Sequence, residues 1–288
     1  MSRARIGIIG GTGLYDMPGV EDVREERVST PYGEPSDAFR IGRLGGVEVV
    51  FLARHGRGHR FSPTEIPYRA NVFGFKRLGV GWIVSVSAVG SLREDVARGH
   101  IVAVDQFIDR TWQRASTFFD EGMVGHASFA DPVCPILRTL LVEAAREAGG
   151  VVHDGGTYVC MEGPAFSTRA ESLLHRSWGA TVIGMTNLPE AKLAREAGIS
   201  YATLAMVTDY DCWHPAESAV SVEQILAVLQ ANADLAQATV RAVVPRILAF
   251  DGPPPQSDAM RTAVLTPREA IPPHRREALD VLLAPTEP

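Results

Sequence analysis

The chain has 288 residues, of which 45% are hydrophobic and 22% are charged, and its formal net charge is -6. A chain of this size and composition can bury a substantial core without disulfides or a metal ion, and one large α/β domain is the natural expectation. Acidic and basic residues are interspersed, so nothing indicates nucleic-acid binding through a basic face.

The cysteines and the apolar runs indicate the compartment. Cys134, Cys160 and Cys212 are far apart and form no CxxC pair, which argues against a zinc site or a disulfide framework. The apolar stretch near the N-terminus is too short for a signal peptide, and no run reaches transmembrane length. We therefore expect a soluble, cytoplasmic protein that uses no metal and does not bind a membrane.

Two anion-site candidates follow strands in the first part of the chain. Arg5–Gly10 is a predicted strand, and the glycines after it let backbone amides approach an anion, with the Thr12 hydroxyl as a further donor. Val47–Ala53 is a second predicted strand, and Arg54 and His55 directly after it can donate to phosphate oxygens. A tight turn without a ligand and a solvated basic loop remain the respective alternatives.

The middle of the chain alternates predicted helices and strands. Trp82–Val89 is a strand that ends in small hydroxyl residues, among them Ser87, which suit either an oxyanion site or a tight turn. Trp112–Ala130 is a partly aromatic excursion. The other predicted elements are a helix at Tyr68–Leu78, short strands at His100–Asp105 and Phe107–Asp109, a helix at Pro135–Ala148, a strand at Tyr158–Glu162, a helix from a capping box at Thr168 to Trp178, a strand at Thr181–Met185, a helix with an Asn187 cap, and a long helix at Ser221–Ala249.

The stretch Tyr201–Trp213 combines an apolar strand with two acids. Asp209 and Asp211 follow the strand two residues apart, so their side chains point the same way as long as the backbone stays extended. If the strand ends in a pocket, that pocket contains two carboxyl groups. The alternative is a solvated turn, in which Asp is common.

The sequence divides into a body and a tail. Residues 1–250 read as one domain, whereas residues 251–288 are rich in proline and poor in apolar residues, with one possible short helix at Arg275–Leu283. In a parallel or mixed sheet the strand ends of the body would meet along one edge. This edge would place the anion-site candidates beside the acidic pair.

Ordered motifs over residues 5–248 carry a resemblance to a known family. They are GIIGGTGLY at 7–15, TPYGEPSDA at 30–38, LARHGRGH at 52–59, AVGSLRE at 88–94, DQFIDRT at 105–111, EGPAFSTRAES at 162–172, GMTNLPEAKLARE at 184–196 and TDYDCW at 208–213. With these motifs the chain resembles the trimeric purine nucleoside phosphorylases, and specifically the 5'-methylthioadenosine phosphorylase family. The resemblance implies a single α/β domain with a central mixed, partly barrel-like β-sheet flanked by helices.

The resemblance also implies roles for particular residues and a homotrimer whose sites lie between subunits. The implied phosphate ligands are Thr12, Arg54, His55, Ser87, Thr186 and the amide of Ala88. The implied purine-binding residues are Phe166, Ser167, Asp209 and Asp211. The residues implied at the ribose and its 5' group are Met185, Val222, Ile225, Leu226 and, from a neighbouring subunit, His126. Ordinary helix-core packing remains an alternative or additional role for Val222, Ile225 and Leu226.

The implied reaction is phosphorolysis of 5'-methylthioadenosine to adenine and 5-methylthioribose 1-phosphate, a step of purine and methionine salvage, with no cofactor beyond the co-substrate phosphate. Asp209 would protonate or share a proton with the leaving purine, and Asp211 would accept from its 6-amino group; the Asp-x-Asp pair favours 6-aminopurines, since the 6-oxopurine enzymes carry Asn at the first position. The alternatives are phosphorolysis of a 5'-halo-5'-deoxyadenosine, of methylthioinosine or of purine nucleosides in general. A further alternative is a nucleoside-binding protein without catalytic activity.

Overall fold

The computed structural model describes residues 5–11, 13–15, 17–215 and 222–285, except for the side chains of residues 222–227 and 229. The strands are β1 Arg5–Gly10, β2 Glu21–Glu26, β3 Phe39–Leu44, β4 Val47–Ala53, β5 Val80–Ser91, β6 Ile101–Ala103, β7 Gln106–Arg110, β8 Val152–Asp154, β9 Thr157–Met161, β10 Val182–Gly184 and β11 Ser200–Asp209. The helices are α1 Tyr68–Arg77, α2 Pro135–Glu147, α3 Arg169–Ser177, α4 Asn187–Glu196, α5 Val222–Leu248 and α6 Pro273–Leu283, with a 3-10 turn at Arg268–Ala270.

The strands form one mixed sheet. Its main path runs β2-β3-β4-β1-β5-β10-β9-β7, and β11 joins β5 to a branch made of β6 and β8. β1 is parallel to β4 and β5, and β11 is parallel to β5, whereas β3 is antiparallel to β4 and β10 is antiparallel to β5. The predicted α/β domain with a central mixed sheet flanked by helices is therefore confirmed.

Helices cover both faces of the sheet because each face is apolar. On one face α1 and α4 pack together over a core that includes Phe73, Phe75 and Leu193. On the other face α2 and α5 enclose a second core that includes Leu141 and Val240. The central strand β11 is buried along its whole length, as expected for a strand with helices on both sides.

Helix starts agree with the sequence at one place and differ at another. α3 begins with the predicted capping box, in which the Thr168 hydroxyl and the Glu171 side chain bond each other's backbone N–H. α4 is preceded by Thr186 rather than capped by Asn187, and Leu188 inside it has non-helical angles. Asn187 is not a cap because its side chain is fully buried and bonded within the core.

The proline-rich residues after the body pack against it. Met260, Ile271, Leu279 and Leu282 are buried in the same core as residues of α1. The stretch predicted as a possible short helix lies within α6. The described part of this segment is therefore folded onto the sheet domain.

This C-terminal segment also holds the excursion that carries His126. The Arg275 guanidinium donates to the carbonyl of Phe118 at 2.6 Å and to the Asp120 carboxylate at 2.8 Å. The His126 amide donates to the Ala263 carbonyl at 2.9 Å. The excursion is thus braced by residues that come more than a hundred positions later in the chain.

The described residues contain neither a membrane-spanning helix nor a metal-binding cluster. In that part of the chain no helix has the length and apolar character needed to cross a bilayer. Within the same residues, no group of three or more His, Cys, Asp or Glu side chains is arranged to hold a metal ion.

Candidate active site

The carboxyl ends of parallel strands meet at one edge of the sheet. Gly10 of β1 lies beside Ala53 of β4, and the Arg54 amide donates to the Gly10 carbonyl at 3.1 Å. Along β5 and β11, Ala205 pairs with Ser87 and Asp209 pairs with Gly90. Parallel pairing therefore brings the basic strand end, the hydroxyl strand end and the first acid to the same edge.

Arg54 lies inside the protein in a buried ion pair. Its Nε donates to Glu190 Oε2 at 2.7 Å and its Nη2 to Glu190 Oε1 at 3.0 Å. Burial disfavours the charged guanidinium, but the Glu190 carboxylate outweighs it, so the pKa of Arg54 is raised above its ordinary value. Sequence reasoning missed Glu190, because nothing local connects it to Arg54.

The ion pair leaves little of the guanidinium for a ligand. Arg54 also donates through Nη1 to the Val86 carbonyl at 2.9 Å and through Nη2 to Ser85 Oγ at 2.7 Å. A guanidinium has five N–H hydrogens, and these contacts together with Glu190 use four of them. One Nη1 hydrogen is left, so Arg54 can give an anion a single hydrogen bond rather than a bidentate pair.

His55 is a neutral imidazole at neutral pH. Burial, opposed by the hydrogen bond with the Phe61 carbonyl and assisted by the Arg54 charge, lowers the pKa of His55 to about 4. Its Nδ1 lies 2.9 Å from that carbonyl, which can only accept, so Nδ1 carries the proton. Nε2 is then an acceptor, and not the donor expected from the sequence; it suits the hydroxyl of a protonated phosphate.

Ser87 and Asn187 form a buried polar network below the edge. Ser87 Oγ donates to Asn187 Oδ1 at 2.8 Å, and the Asn187 amide nitrogen donates to Tyr201 Oη and to Thr203 Oγ1 at 2.9 Å. Thr186 precedes α4, and its side chain makes no capping hydrogen bond. Ala88 lies next to Ser87 and is exposed, which leaves this part of β5 accessible to a ligand.

The two acids are buried, and they are joined through the backbone. Asp209 Oδ2 accepts from the Thr208 hydroxyl at 2.7 Å, and Oδ1 accepts from the Asp211 amide at 2.7 Å. Asp211 has a φ of 51°, so the chain turns after β11 and does not stay extended. The condition for a shared side-chain direction, an extended backbone, is therefore not met. The turn after β11 sets the positions of the two side chains.

Burial is the main reason why the pKa values of Asp209 and Asp211 are raised. It raises the pKa of Asp209, and the nearby Asp211 raises it further, while hydrogen bonds from Thr208 and from the Asp211 amide oppose the rise. Burial also raises the pKa of Asp211. Asp211 Oδ2 is buried and, among the described residues, has no hydrogen-bond partner. This oxygen is an acceptor without a donor.

Gly90 makes room for the acidic pair, a role that sequence reasoning missed. A Cβ at this position would lie 2.9 Å from Asp209 Oδ1 and 3.3 Å from Asp211 Cβ. The sequence does not reveal this role, because a glycine in sequence does not show which side chain approaches it.

The residues expected at the purine and the ribose lie around the same loops. Phe166 is 44% exposed, and Ser167 is linked through its carbonyl to Cys212 Sγ at 3.2 Å. The Met185 carbonyl accepts from Arg114, which is itself paired with Glu162 at 3.0 Å. Arg114 thereby connects the loop before α4 to the strand end that precedes Phe166, which is a further contribution not seen from the sequence.

The remaining expected residues are Thr12, Val222, Ile225, Leu226 and His126. Thr12 lies outside the described residues, and so do the side chains of Val222, Ile225 and Leu226, whose backbone begins α5. His126 is exposed in the braced excursion. Its exposed position is compatible with contact to a second chain.

Comparison with known proteins places the chain. The model of the phosphorylase superfamily matches residues 5–245. The S-methyl-5'-thioadenosine phosphorylase of Thermosynechococcus vestitus is 58% identical, with 98% of each chain covered, and that of Geobacter sulfurreducens is 57% identical, with 96% of this chain and 97% of the relative covered. The chain belongs to the phosphorylase superfamily and, within it, to the S-methyl-5'-thioadenosine phosphorylase family.

Solved structures of the family share the fold. A methylthioadenosine phosphorylase from an antarctic soil metagenomic library is 51% identical, with a TM-score of 0.93 and coverage of 98% of this chain and 100% of the other. The Schistosoma mansoni enzyme in complex with adenine is 38% identical, with a TM-score of 0.83 and coverage of 86% and 93%. The family resemblance seen in the sequence motifs is therefore confirmed at the level of sequence and fold.

Proposed function

We propose that the protein catalyses phosphorolysis of 5'-methylthioadenosine, giving adenine and 5-methylthioribose 1-phosphate. One observation carries the proposal: parallel β1, β4, β5 and β11 end at the same edge, so a region rich in anion donors lies beside two buried acids. Membership of a family whose relatives bear this activity in their names supports it. In this proposal phosphate is a co-substrate and no metal or organic cofactor takes part.

The donor side of the edge fits monohydrogen phosphate. The remaining Nη1 hydrogen of Arg54, the hydroxyls of Ser87 and Thr186 and the Ala88 amide provide neutral and charged donors. Thr12, which the family resemblance assigns to the same ligand, lies outside the described residues. The neutral His55 contributes Nε2 as an acceptor for the single phosphate hydroxyl. A dianion held at this place stabilises the positive charge that develops on the ribose as the glycosidic bond breaks.

Asp209 serves the leaving group. Cleavage puts negative charge on the purine, and a carboxylic acid that protonates or shares a proton with N7 neutralises it. Burial raises the pKa of Asp209, which favours the protonated form that this step needs. The Thr208 hydroxyl and the Asp211 amide fix the orientation of its carboxyl group.

Asp211 supports the choice of adenine. Its buried Oδ2 is an acceptor without a donor among the described residues, and the 6-amino group of adenine supplies a donor. A 6-oxopurine would place a second acceptor there, which leaves both oxygens unpaired and is strongly disfavoured. Asp211 therefore favours 6-aminopurine nucleosides over inosine and methylthioinosine.

The proposal extends to the residues around the ribose and its 5' group and to the assembly of the subunits. In this proposal Met185 contacts the ribose, and His126 contacts the 5' group from a neighbouring subunit of a cytoplasmic homotrimer. Val222, Ile225 and Leu226, whose side chains lie outside the described residues, are assigned to the 5' group through the family resemblance alone. The exposure of His126 and its bracing by the C-terminal segment support this arrangement. A 5'-halo-5'-deoxyadenosine offers a similarly small, weakly polar group and is the second candidate substrate.

Adenine release measured with and without phosphate tests the reaction and the substrate together. Methylthioadenosine is compared at matched concentrations with adenosine, inosine and 5'-chloro-5'-deoxyadenosine. We expect phosphate-dependent release that is fastest on methylthioadenosine. Release without phosphate would mean hydrolysis, a preference for the chloro compound would change the substrate, and no measurable release would leave a nucleoside-binding protein.

A substitution tests the role of the acid. Asp209→Asn keeps the size of the side chain and removes the ionisable proton, so we expect kcat to fall about 10²- to 10⁴-fold with nucleoside binding largely kept. Asp95→Asn is the matched control, because this carboxylate is exposed and bonded to Arg93 at 2.7 Å. Equal rates for the two variants would rule out Asp209 as the proton donor.

A further inference from the structure

The ring of Tyr158 ends beside the loop that carries Met185 and Thr186. Tyr158 of β9 is fully buried and pairs with Val182 of β10, and its side chain runs along β10 to Gly184. A Cβ at position 184 would overlap the Tyr158 hydroxyl and lie 2.6 Å from Cζ. The phenol thus fills the space of the side chain that Gly184 lacks, two residues before Thr186.

The hydroxyl of this tyrosine is buried without a hydrogen-bond partner among the described residues. Burial raises the pKa of Tyr158, and the Ser87 hydroxyl and the Thr186 N–H, which both lie near the phenol oxygen, lower it only in part. The O–H group therefore keeps its proton at neutral pH. Buried hydroxyls are rarely left unpaired, so an unpaired one between two expected phosphate ligands indicates a bond that forms when the site is filled.

Ser87 has only one proton to give. It now donates that proton to Asn187 Oδ1 at 2.8 Å, while the Asn187 amide nitrogen is engaged by Tyr201 and by Thr203 at 2.9 Å. Asn187 therefore cannot turn its amide to offer Ser87 a donor. To bind a phosphate oxygen, Ser87 must turn its proton away from Asn187 and towards the ligand.

We propose that Tyr158 is a positioning residue for phosphate: as Ser87 turns its proton to a phosphate oxygen, the Tyr158 hydroxyl donates to the Ser87 oxygen. The inference rests on the proposed function, because it takes phosphate to lie at Ser87. A hydroxyl that accepts one hydrogen bond donates a stronger one, so the relay from Tyr158 through Ser87 tightens the hold on phosphate. In this arrangement the Tyr158 hydroxyl contacts Ser87 and does not contact phosphate directly.

Tyr158→Phe tests the inference through the binding of inorganic phosphate. We expect the phosphate KM and the calorimetric phosphate Kd to rise about 3- to 10-fold, the value of one neutral hydrogen bond, with kcat and the nucleoside KM within about 2-fold of wild type. The melting temperature should not fall, because the lost hydroxyl has no partner in the unliganded protein. Tyr32→Phe is the matched control, since it removes another unpartnered buried hydroxyl, on a ring packed against Phe73 and Phe118.

A double variant separates action through Ser87 from an independent effect. In a Ser87→Ala background, Tyr158→Phe should raise the phosphate Kd no further. An additional rise in the double variant, or an unchanged phosphate Kd in Tyr158→Phe alone, would overturn the inference. Failure of the proposed function is distinguishable, because a wild-type protein that binds phosphate without cleaving nucleoside still gives the Kd comparison.

Discussion

The Arg54–Glu190 pair allows the sharpest test of how the site is held. Glu190 is 1% exposed, and its two oxygens accept from Arg54 at 2.7 and 3.0 Å. Oε1 also accepts from Ser85 Oγ at 2.8 Å and from Tyr201 Oη at 2.9 Å. Glu190→Gln is nearly isosteric, so it changes charge and hydrogen-bond polarity without opening a cavity.

The magnitude follows from that geometry. In either orientation the new NH2 group faces an Arg54 N–H, and the guanidinium loses the charge that balances it. Removing one partner of a buried ion pair costs about 3–5 kcal/mol. At about 2–4 °C per kcal/mol for a protein of this size class, the melting temperature of Glu190→Gln should fall by roughly 6–20 °C.

Thermal unfolding followed by circular dichroism, together with urea titration, measures this loss. Asp280→Asn is the control, because it breaks an ion pair with Arg268 whose side chains are 59% and 55% exposed. An exposed pair contributes little, so this control should melt within about 1 °C of wild type. A Glu190→Gln protein that melts within about 2 °C of wild type would refute the view that the buried charge of Arg54 depends on Glu190.

Two further predictions concern His55 and Gly90. Because burial lowers the pKa of His55 to about 4, His55 takes up a proton at a higher pH in the unfolded chain than in the folded protein. The free energy of unfolding of wild type should therefore fall between pH 6.5 and 4.5 by about 2–3 kcal/mol more than that of His55→Asn. Equal decreases for the two proteins, measured by urea titration at the two pH values, would contradict this. Gly90→Ala places a Cβ 2.9 Å from Asp209 Oδ1, which must shift the carboxyl group, and kcat for adenine release should fall at least about 10-fold; an unchanged kcat would mean that the position of this oxygen is not critical.

Much of the fold follows from local patterns. β1 and β4 were predicted with the bounds they have, because each is an apolar run that ends at a glycine or a charged residue. β2 and β3 were missed together. All six residues of β2 are exposed, so neither alternation nor an apolar run marks it, and it becomes a strand only because β3 offers an edge to pair with.

The residue types at the candidate site follow from the sequence, but the contacts between them do not. The basic pair after β4 and the acids after β11 could be found because strand ends collect functional groups. The partner of Arg54 lies 136 residues further along the chain, so only the folded sheet reveals that most of the guanidinium is already bonded. Asn187 has the sequence of a helix cap, yet tertiary contacts with Tyr201 and Thr203 outweigh that local preference.

The acidic pair gives the clearest reason why spacing alone is not enough. Two carboxylates two residues apart predict a shared direction only along an extended strand, and β11 ends at Asp209. Asp211 contributes two groups because the chain turns there, with a φ of 51°. Its amide donates to Asp209 Oδ1 at 2.7 Å, and its Oδ2 is a buried acceptor without a partner among the described residues. In the proposed reaction this turn would couple proton donation to base selection, since a change that straightens it would disturb both acids together.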